Sequence, residues 1–521
     1  MVEPARETDE SAPLLAAAVD EESPSSTPSL TTTEGYGLGR STNLVAPEGA
    51  GATQDIGPLF WSLLADSVPV ILSYILQNSI QTVSVLVAGR LGPDELSAAA
   101  FSLMLAMVSG WCVALGGTTA LDTLGSQAFT GDDRLSVSIH LQRCLLLLWI
   151  LFIPVAVLWF FIEPVLLMLG QEELLSRNVQ NFLRILVAGA PGYIGFESVK
   201  KYLQCQGIMR ASTFVLILVA PVNLALNVFC IHYTPLGLLG SPVAISITYW
   251  LCFLLLVLVT ALSSTHRHNK TWAGLHLAAV FDLRSSLTFL RLAIPGILMV
   301  GTEWAAFEIV ALAAGRLGAL PLAAQSVIMT TDQILNTIPF GIGVSASTRV
   351  GNLIGARAPS AAKHASHASA ALSVVVGLVV MIVMMATKNI FGYIFSDDTA
   401  VVLLVSKVMP LVASFQIADG LAGSCGGVLR GQGRQHLGAL FNLVAYYVLA
   451  LPLGITLAFH RRTRLGLQGL WIGQVVALFI VGLGEYAVVW LGTDWEDEVR
   501  RGIERNQAEA KRRHQHERSP Q

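Results

Sequence analysis

The sequence predicts an all-α polytopic membrane protein with twelve transmembrane helices in two six-helix bundles. Three observations carry this. Apolar runs long enough to cross a bilayer, ~20 residues each as helix, recur along most of the chain. The two halves repeat at one fixed offset. Charge is scarce: 53% of the 521 residues are hydrophobic and 13% charged, with mean hydropathy +0.62. A net charge of −3 gives nothing suited to nucleic acid. The sequence holds no Walker loop, dinucleotide glycine fingerprint, HExxH or GxSxG, so neither a cofactor, a metal nor enzyme chemistry is expected. Cys112, Cys144, Cys205, Cys230, Cys252 and Cys425 lie in apolar segments without CxxC spacing and read as free buried thiols.

Residues 1–56 are Ser/Thr/Pro/Gly-rich and acidic, with no long apolar run, and are expected to be a disordered cytosolic region. No basic segment followed by an apolar core marks a signal peptide. Within this region Glu10, with Leu14 and Leu15 just after it, resembles an acidic dileucine sorting signal. That motif favours a vacuolar, lysosome-like membrane over the plasma membrane.

Twelve spans follow, near residues 59–86, 95–119, 137–162, 179–199, 211–232, 238–262, 287–312, 320–346, 365–387, 401–424, 436–459 and 467–491. They form an N-terminal bundle over 57–262 and a C-terminal bundle over 287–491, joined by a cytosolic linker at 263–286. Residues 492–521 form a charged cytosolic tail that reads as a helix solvated all round. Lys and Arg set orientation. With both termini in the cytosol, that side carries the larger share, including Arg134, Arg143, Lys200, Lys201, Arg349, Arg430 and Arg434.

The repeat sets AGRLG at 88–92 against AGRLG at 314–318 (314 − 88 = 226). Pro69 matches Pro295, and Gln206-Gly207 matches Gln432-Gly433, at the same offset of 226. Six spans per half means that both copies insert the same way up. Such transporters place substrate near the midplane. Pro69 and Pro295 each remove a helix bond, so they are candidate hinges.

The chemistry concentrates in the second half. Glu303 and Glu308 sit inside the seventh span, where an intramembrane carboxylate costs roughly 2.5–3.5 kcal/mol and normally marks an ion or substrate path. Glu303 shares a helix face with Phe307, and Trp304 with Glu308. Acid beside aromatic suits an organic cation. The alternative for both acids is bonding to neighbouring helices. Asp419, in the tenth span, stands among Gly420, Gly423, Gly426 and Gly427, which allow close helix contact; alternatively it caps a helix end or bonds a broken backbone. Asp332 is a weaker candidate, and Asp66 and Asp122 read as interfacial. The offset sets Glu303 against Gln77, Glu308 against Thr82 and Asp419 against Tyr193, so the second half holds ionisable groups where the first holds neutral ones. Asn223 and Asn227 share a face of the fifth span; they line a first-half cavity or bond across helices.

These residues carry a resemblance. GVLRGQGRQHLGALFNLVAYYVLALPLG (427–454), AGRLGALPLAAQSV (314–327), ALDTLGSQAFTG (120–131) and APVNLALNVF (220–229) are similar to segments of the multidrug and toxic compound extrusion (MATE) family, eukaryotic branch. The resemblance covers about 57–491. It implies two six-helix bundles around a V-shaped cavity and export of organic cations, xenobiotics or metabolites driven by H⁺ or Na⁺. It places the family's seventh-span acids on Glu303 and Glu308 and its tenth-span acid on Asp419. Many bacterial members carry a first-span aspartate where this chain has Ser84.

The expected function is secondary antiport: organic cations leave in exchange for protons, which compete for Glu303, with Asp419 as second acceptor. Gln77, Trp304, Phe307, Asn223, Tyr446 and Tyr447 are expected to line the cavity. The protein is expected to act in the lipid bilayer as a monomer, with small-molecule cations and H⁺ as its partners. The alternatives are a Na⁺-coupled exporter and a lipid-linked oligosaccharide flippase, the latter needing a basic cavity.

Overall fold

The structure, a computed structural model, describes residues 56–518; the Glu10, Leu14 and Leu15 motif lies outside them. Among the described residues every regular element is helical. The spans are α1 (Ile56–Ala88), α2 (Pro93–Thr130), α3 (Ser136–Phe160), α4 (in two pieces, Glu173–Leu186 and Ala190–Cys205), α5 (Ala211–His232) and α6 (Gly240–Leu262). The second half repeats them as α7 (Leu283–Leu317), α8 (Ala319–Leu335 and Thr337–Gly355), α9 (Pro359–Thr387), α10 (Thr399–Gln432), α11 (Gln435–Phe459) and α12 (Leu467–Leu491). Ten of these are long and apolar enough to cross a membrane; α4 and α8, each in two shorter pieces, are the others. Large apolar side chains such as Ile150, Ile153 and Val157 on α3 face outward, as a lipid-facing surface requires.

The repeat is visible in backbone detail. α2 passes through a π-helical stretch, Met107–Trp111, and α8 breaks at Asn336, which lies opposite Gly110 (336 − 110 = 226). The matched Gln-Gly pairs are helix ends. Gly207 (φ 75°) and Gly433 (φ 85°) adopt the left-handed conformation that favours glycine. Each closes a Schellman motif: Ile208 N–H donates to the Leu203 carbonyl (3.0 Å), and Arg434 N–H to that of Leu429 (2.8 Å). The last glycine of the second AGRLG, Gly318 (φ 123°), makes the tight turn from α7 into α8. α1 and α7 both run on as helix through Pro69 and Pro295.

The expectation of a fully solvated tail is not met. Residues Trp495–Arg518 form a helix, α13, but Trp495, Glu498 and Val499 on it are buried. They pack with Val350, Ile354, Ala362, Val428 and Val489 of the second half. Further along, Asn506 donates to the Gln127 carbonyl (3.1 Å), Glu509 meets Arg143 at 2.7 Å and Arg513 meets Asp133 at 2.8 Å, all in the first half. α13 therefore straps across both halves on one face. The all-round reading failed because the helix alternates charge with a narrow apolar edge that only the partner surface makes visible.

Candidate ion and substrate site

Four acids converge from four helices of the second half. Glu303 comes from α7, Asp332 from α8, Asp419 from α10 and Glu485 from α12. Glu303, Asp419 and Glu485 line one cavity together with Trp304, Asn336, Phe340, Arg430 and Asn442. Asp332 stands behind it and is close enough to act electrostatically on both Glu303 and Asp419. Asp332, Asp419 and Glu485 are 5%, 3% and 0% exposed, so bulk water solvates none of them. Asn336 donates to both carboxylate oxygens of Asp419, at 3.2 and 3.5 Å. Gln416 donates to Asp332 at 3.2 Å. Among the described residues, neither oxygen of Glu485 has a hydrogen-bond partner. A buried carboxylate left unbonded is costly, and a proton or a cation beside it lowers that cost.

Local sequence builds this geometry. The break at Asn336 turns its side chain towards Asp419 while α8 continues. Close helix contact follows from glycine: a Cβ at Gly427 of α10 would run into the Gly343 carbonyl of α8, and one at Gly423 would meet Pro339. Among the described residues that line the cavity, one cation faces the acids. Arg430, 4% exposed, lines the cavity and lies 3.6 Å from Asp122 of α2, which also binds Lys201 of α4 at 2.9 and 3.0 Å. The cavity holds about 50 Å³, room for a few water molecules but not for a drug-sized ligand, which needs roughly 300 Å³ or more.

The comparisons with known proteins converge. The family model described as MatE matches residues 69–229 and again 295–456, two copies displaced by 226 residues at their starts (295 − 69 = 226). The chain belongs to the MatE family. Among its relatives are an uncharacterized transporter of Schizosaccharomyces pombe, 36% identical over 83% of this chain and 80% of that one. Multidrug and toxin extrusion protein 2 of Mus musculus is 35% identical over 89% of this chain and 81% of that one. The solved eukaryotic MATE transporter AtDTX14 is 29% identical and superposes with a TM-score of 0.79, covering 86% of this chain and all of that one. The Vibrio cholerae MATE transporter VcmN, 16% identical with a TM-score of 0.71, shares the fold. The protein is thus a transporter of the eukaryotic MATE branch and a multi-pass integral membrane protein.

Within this MATE fold the sequence-derived site residues part company. Glu303, Trp304 and Asp419 line the cavity. Glu308 does not; it is half-buried farther along α7 and lines no part of that cavity. Phe307 and Tyr446 are not among the residues that line the cavity; they pack with Phe415 and Trp471 in an aromatic core beside it, Tyr446 close enough to the acids to act electrostatically with them. Tyr447 instead donates to the Thr302 carbonyl at 3.0 Å. Asn223 takes the cross-helix alternative: its Nδ2 donates to the Ile80 carbonyl, and its Oδ1 accepts from Thr248 and Asn227. Gln77 lines no second-half cavity; it donates to Tyr193 (3.1 Å) and Glu197 (2.7 Å).

That last contact corrects the expected asymmetry between the halves. The first half holds a buried ion pair of its own, Glu197–Lys200 at 2.7 Å, both fully buried. Lys200 also donates to Gln77 (2.8 Å) and sits 4.0 Å from the Tyr74 ring centre. Lys200, Lys201 and Arg430, expected on the cytosolic loops and span ends, are buried inside the protein, and Asp122 (0% exposed) is buried with them. Sequence reasoning missed Glu485, Glu197 and this network. The signal present was helical: Glu197, Lys200 and Lys201 fall on adjoining turns of one helix.

Proposed function

We propose that the chain is a secondary active antiporter that exports organic cations, xenobiotics or metabolites in exchange for protons, with Glu303, Asp419 and Glu485 as the exchange site. The observation that carries this reading is the convergence of half-buried Glu303 with buried Asp419 and Glu485 on one small cavity with Trp304 at its wall. Desolvation and like-charge repulsion favour protonation of a carboxylate. A bound organic cation relieves the same repulsion, so the two occupants compete. Trp304 offers a ring face to the cation, while Asn336 and Gln416 hold Asp419 and Asp332 in place. Arg430, tied to Asp122 and through it to Lys201, links the acid cluster to the first half, so a change of charge at the site is felt where the halves meet. The cavity opens to substrate when the halves rearrange about it, with Pro69 and Pro295 as hinges. Glu308 serves as an acid of the approach path rather than of the central cluster.

Sodium coupling needs several oxygen ligands at close range, whereas Asp419 is already bonded by an amide donor. A pyrophosphate-linked lipid would meet an acidic wall, which disfavours the flippase. By the positive-inside rule both termini face the cytosol, and the Glu10, Leu14 and Leu15 motif directs the protein to a vacuole-like membrane. Changing both leucines to Ala should move it to the plasma membrane with transport intact; unchanged localisation by microscopy contradicts that assignment. Glu303→Gln keeps size and hydrogen bonding but removes the titrating charge. It should abolish uptake of an organic cation driven by a pH gradient in vesicles at unchanged expression; uptake at the wild-type rate excludes Glu303.

A further inference from the structure

The largest cavity among those described lies away from the acid cluster, in the first half. It holds about 650 Å³ between α3, α4, α6 and the segment that follows α6. Its inner wall is apolar, with Leu145, Phe253 and Val257; its rim carries Arg267, Lys270 and Trp272. The rim residues are exposed, as is Val257. Arg267 donates to the Leu262 carbonyl (3.1 Å), and among the described residues no acid pairs with either Arg267 or Lys270.

The rim is held in place. Tyr202 of α4 bonds His266 (2.9 Å) and Thr271 (2.8 Å), on either side of the two cations. Thr271 donates to Gln206 at 2.9 Å. Between them Lys270 sits at φ 52°, in the left-handed region that favours glycine. A lysine kept there by flanking bonds is presented, not frayed. The segment lies on the face strapped by α13: Ser285, shortly after it, accepts from Arg512 at 3.2 Å.

We infer that this cavity is a binding site for an anionic glycerophospholipid: an acyl chain lies along Leu145, Phe253 and Val257, and the headgroup phosphate is held by Arg267 and Lys270 beside Trp272. The chemistry fits at each end. Paired cations at a membrane surface attract anionic headgroups, tryptophan prefers the headgroup level, and an apolar slot open to the bilayer takes hydrocarbon. The site is separate from the acids that the transport proposal uses, so it stands or falls independently of them.

The full chain in nanodiscs tests this by native mass spectrometry, using phosphatidylcholine alone or with phosphatidylserine. Wild type should retain one phosphatidylserine per chain, and soluble glycerophosphate should not displace it. Arg267→Gln with Lys270→Gln should weaken retention at least about tenfold. Val257→Trp, which keeps both cations and fills the slot, should weaken it as well. Lys363→Ala, an exposed cation of the second half away from the slot, should leave it unchanged. Melting in phosphatidylcholine checks that each variant folds; the single Arg267→Gln and Lys270→Gln variants replace the pair if it does not. Equal retention in all variants overturns the site, as does loss on Lys363→Ala, which shows diffuse surface charge. Displacement by glycerophosphate means that the rim binds free phosphate instead.

Discussion

Glu485 is the residue the sequence hides best. Its neighbours in LFIVGLGEYAVVWL are apolar, as those of Glu303 are, yet it falls near a span end where an acid passes for interfacial. Burial there comes from α10 and α11 closing over α12, which no local pattern encodes. Because both its oxygens are unbonded, Glu485→Gln should fold normally and reduce proton-driven transport by an order of magnitude or more, about 1.4 kcal/mol per tenfold. Wild-type rates in vesicles would remove it from the exchange site. Glu303 and Asp419 were legible because an acid in the middle of an apolar run has few other uses. In the first half, removing one partner of Glu197–Lys200 leaves a buried uncompensated charge, which costs roughly 3–5 kcal/mol. Lys200→Met should therefore lower the yield of folded protein sharply, and Glu197→Gln with Lys200→Met should recover much of it. A single variant as stable as wild type by thermal melting contradicts the pairing.

At the scale of elements, apolar runs locate the spans but not their ends. α10 has 34 residues, about 51 Å of helix, against a hydrocarbon core of ~30 Å. Positive-inside reasoning thus put Lys200, Lys201 and Arg430 on cytosolic loops and span ends, although their helices continue past them, to Cys205 and Gln432, with these side chains buried. The matched Gln-Gly pairs were legible because a backbone requirement fixes them. Gly207→Ala forces a Cβ into the left-handed region at a cost of roughly 1–2 kcal/mol and should lower the melting temperature measurably; an unchanged melt contradicts the cap. α13 carries a pH-dependent tie. Burial opposes the charge of Glu509, but His140 and Arg143 outweigh it and hold its carboxyl below the usual range. A depressed carboxylate contributes at neutral pH and loses its contribution as pH falls through its folded value. Limited proteolysis of the tail should therefore be slow at neutral pH, faster in acid below the ordinary carboxylate range, and fast at neutral pH in Glu509→Gln. Equal cleavage in all three conditions contradicts the tie.

For the whole molecule the repeat was the most readable feature. Prolines, glycine turns and family segments recur at 226 because both copies solve the same backbone problem, and the MatE model matches both. The contacts between the halves were not readable. α2 docks on α10 through Gln127 to the Gly431 carbonyl (2.9 Å) and on the start of α11 through Gln435, which donates to Thr123 (3.0 Å), and α13 straps the same face. In the proposed exchange cycle those contacts part. Truncation after Gly492 should loosen that face, seen as faster labelling of Thr123→Cys by a water-soluble maleimide; an unchanged rate contradicts the strap. The most direct test of the exchange site is a flux. Vesicles with an acidic interior in sodium-free buffer, loaded with the purified chain in their membranes, should accumulate a quaternary ammonium cation. A protonophore should stop accumulation, and Glu303→Gln should show none. Transport that needs a sodium gradient and ignores the protonophore would contradict proton exchange at these acids.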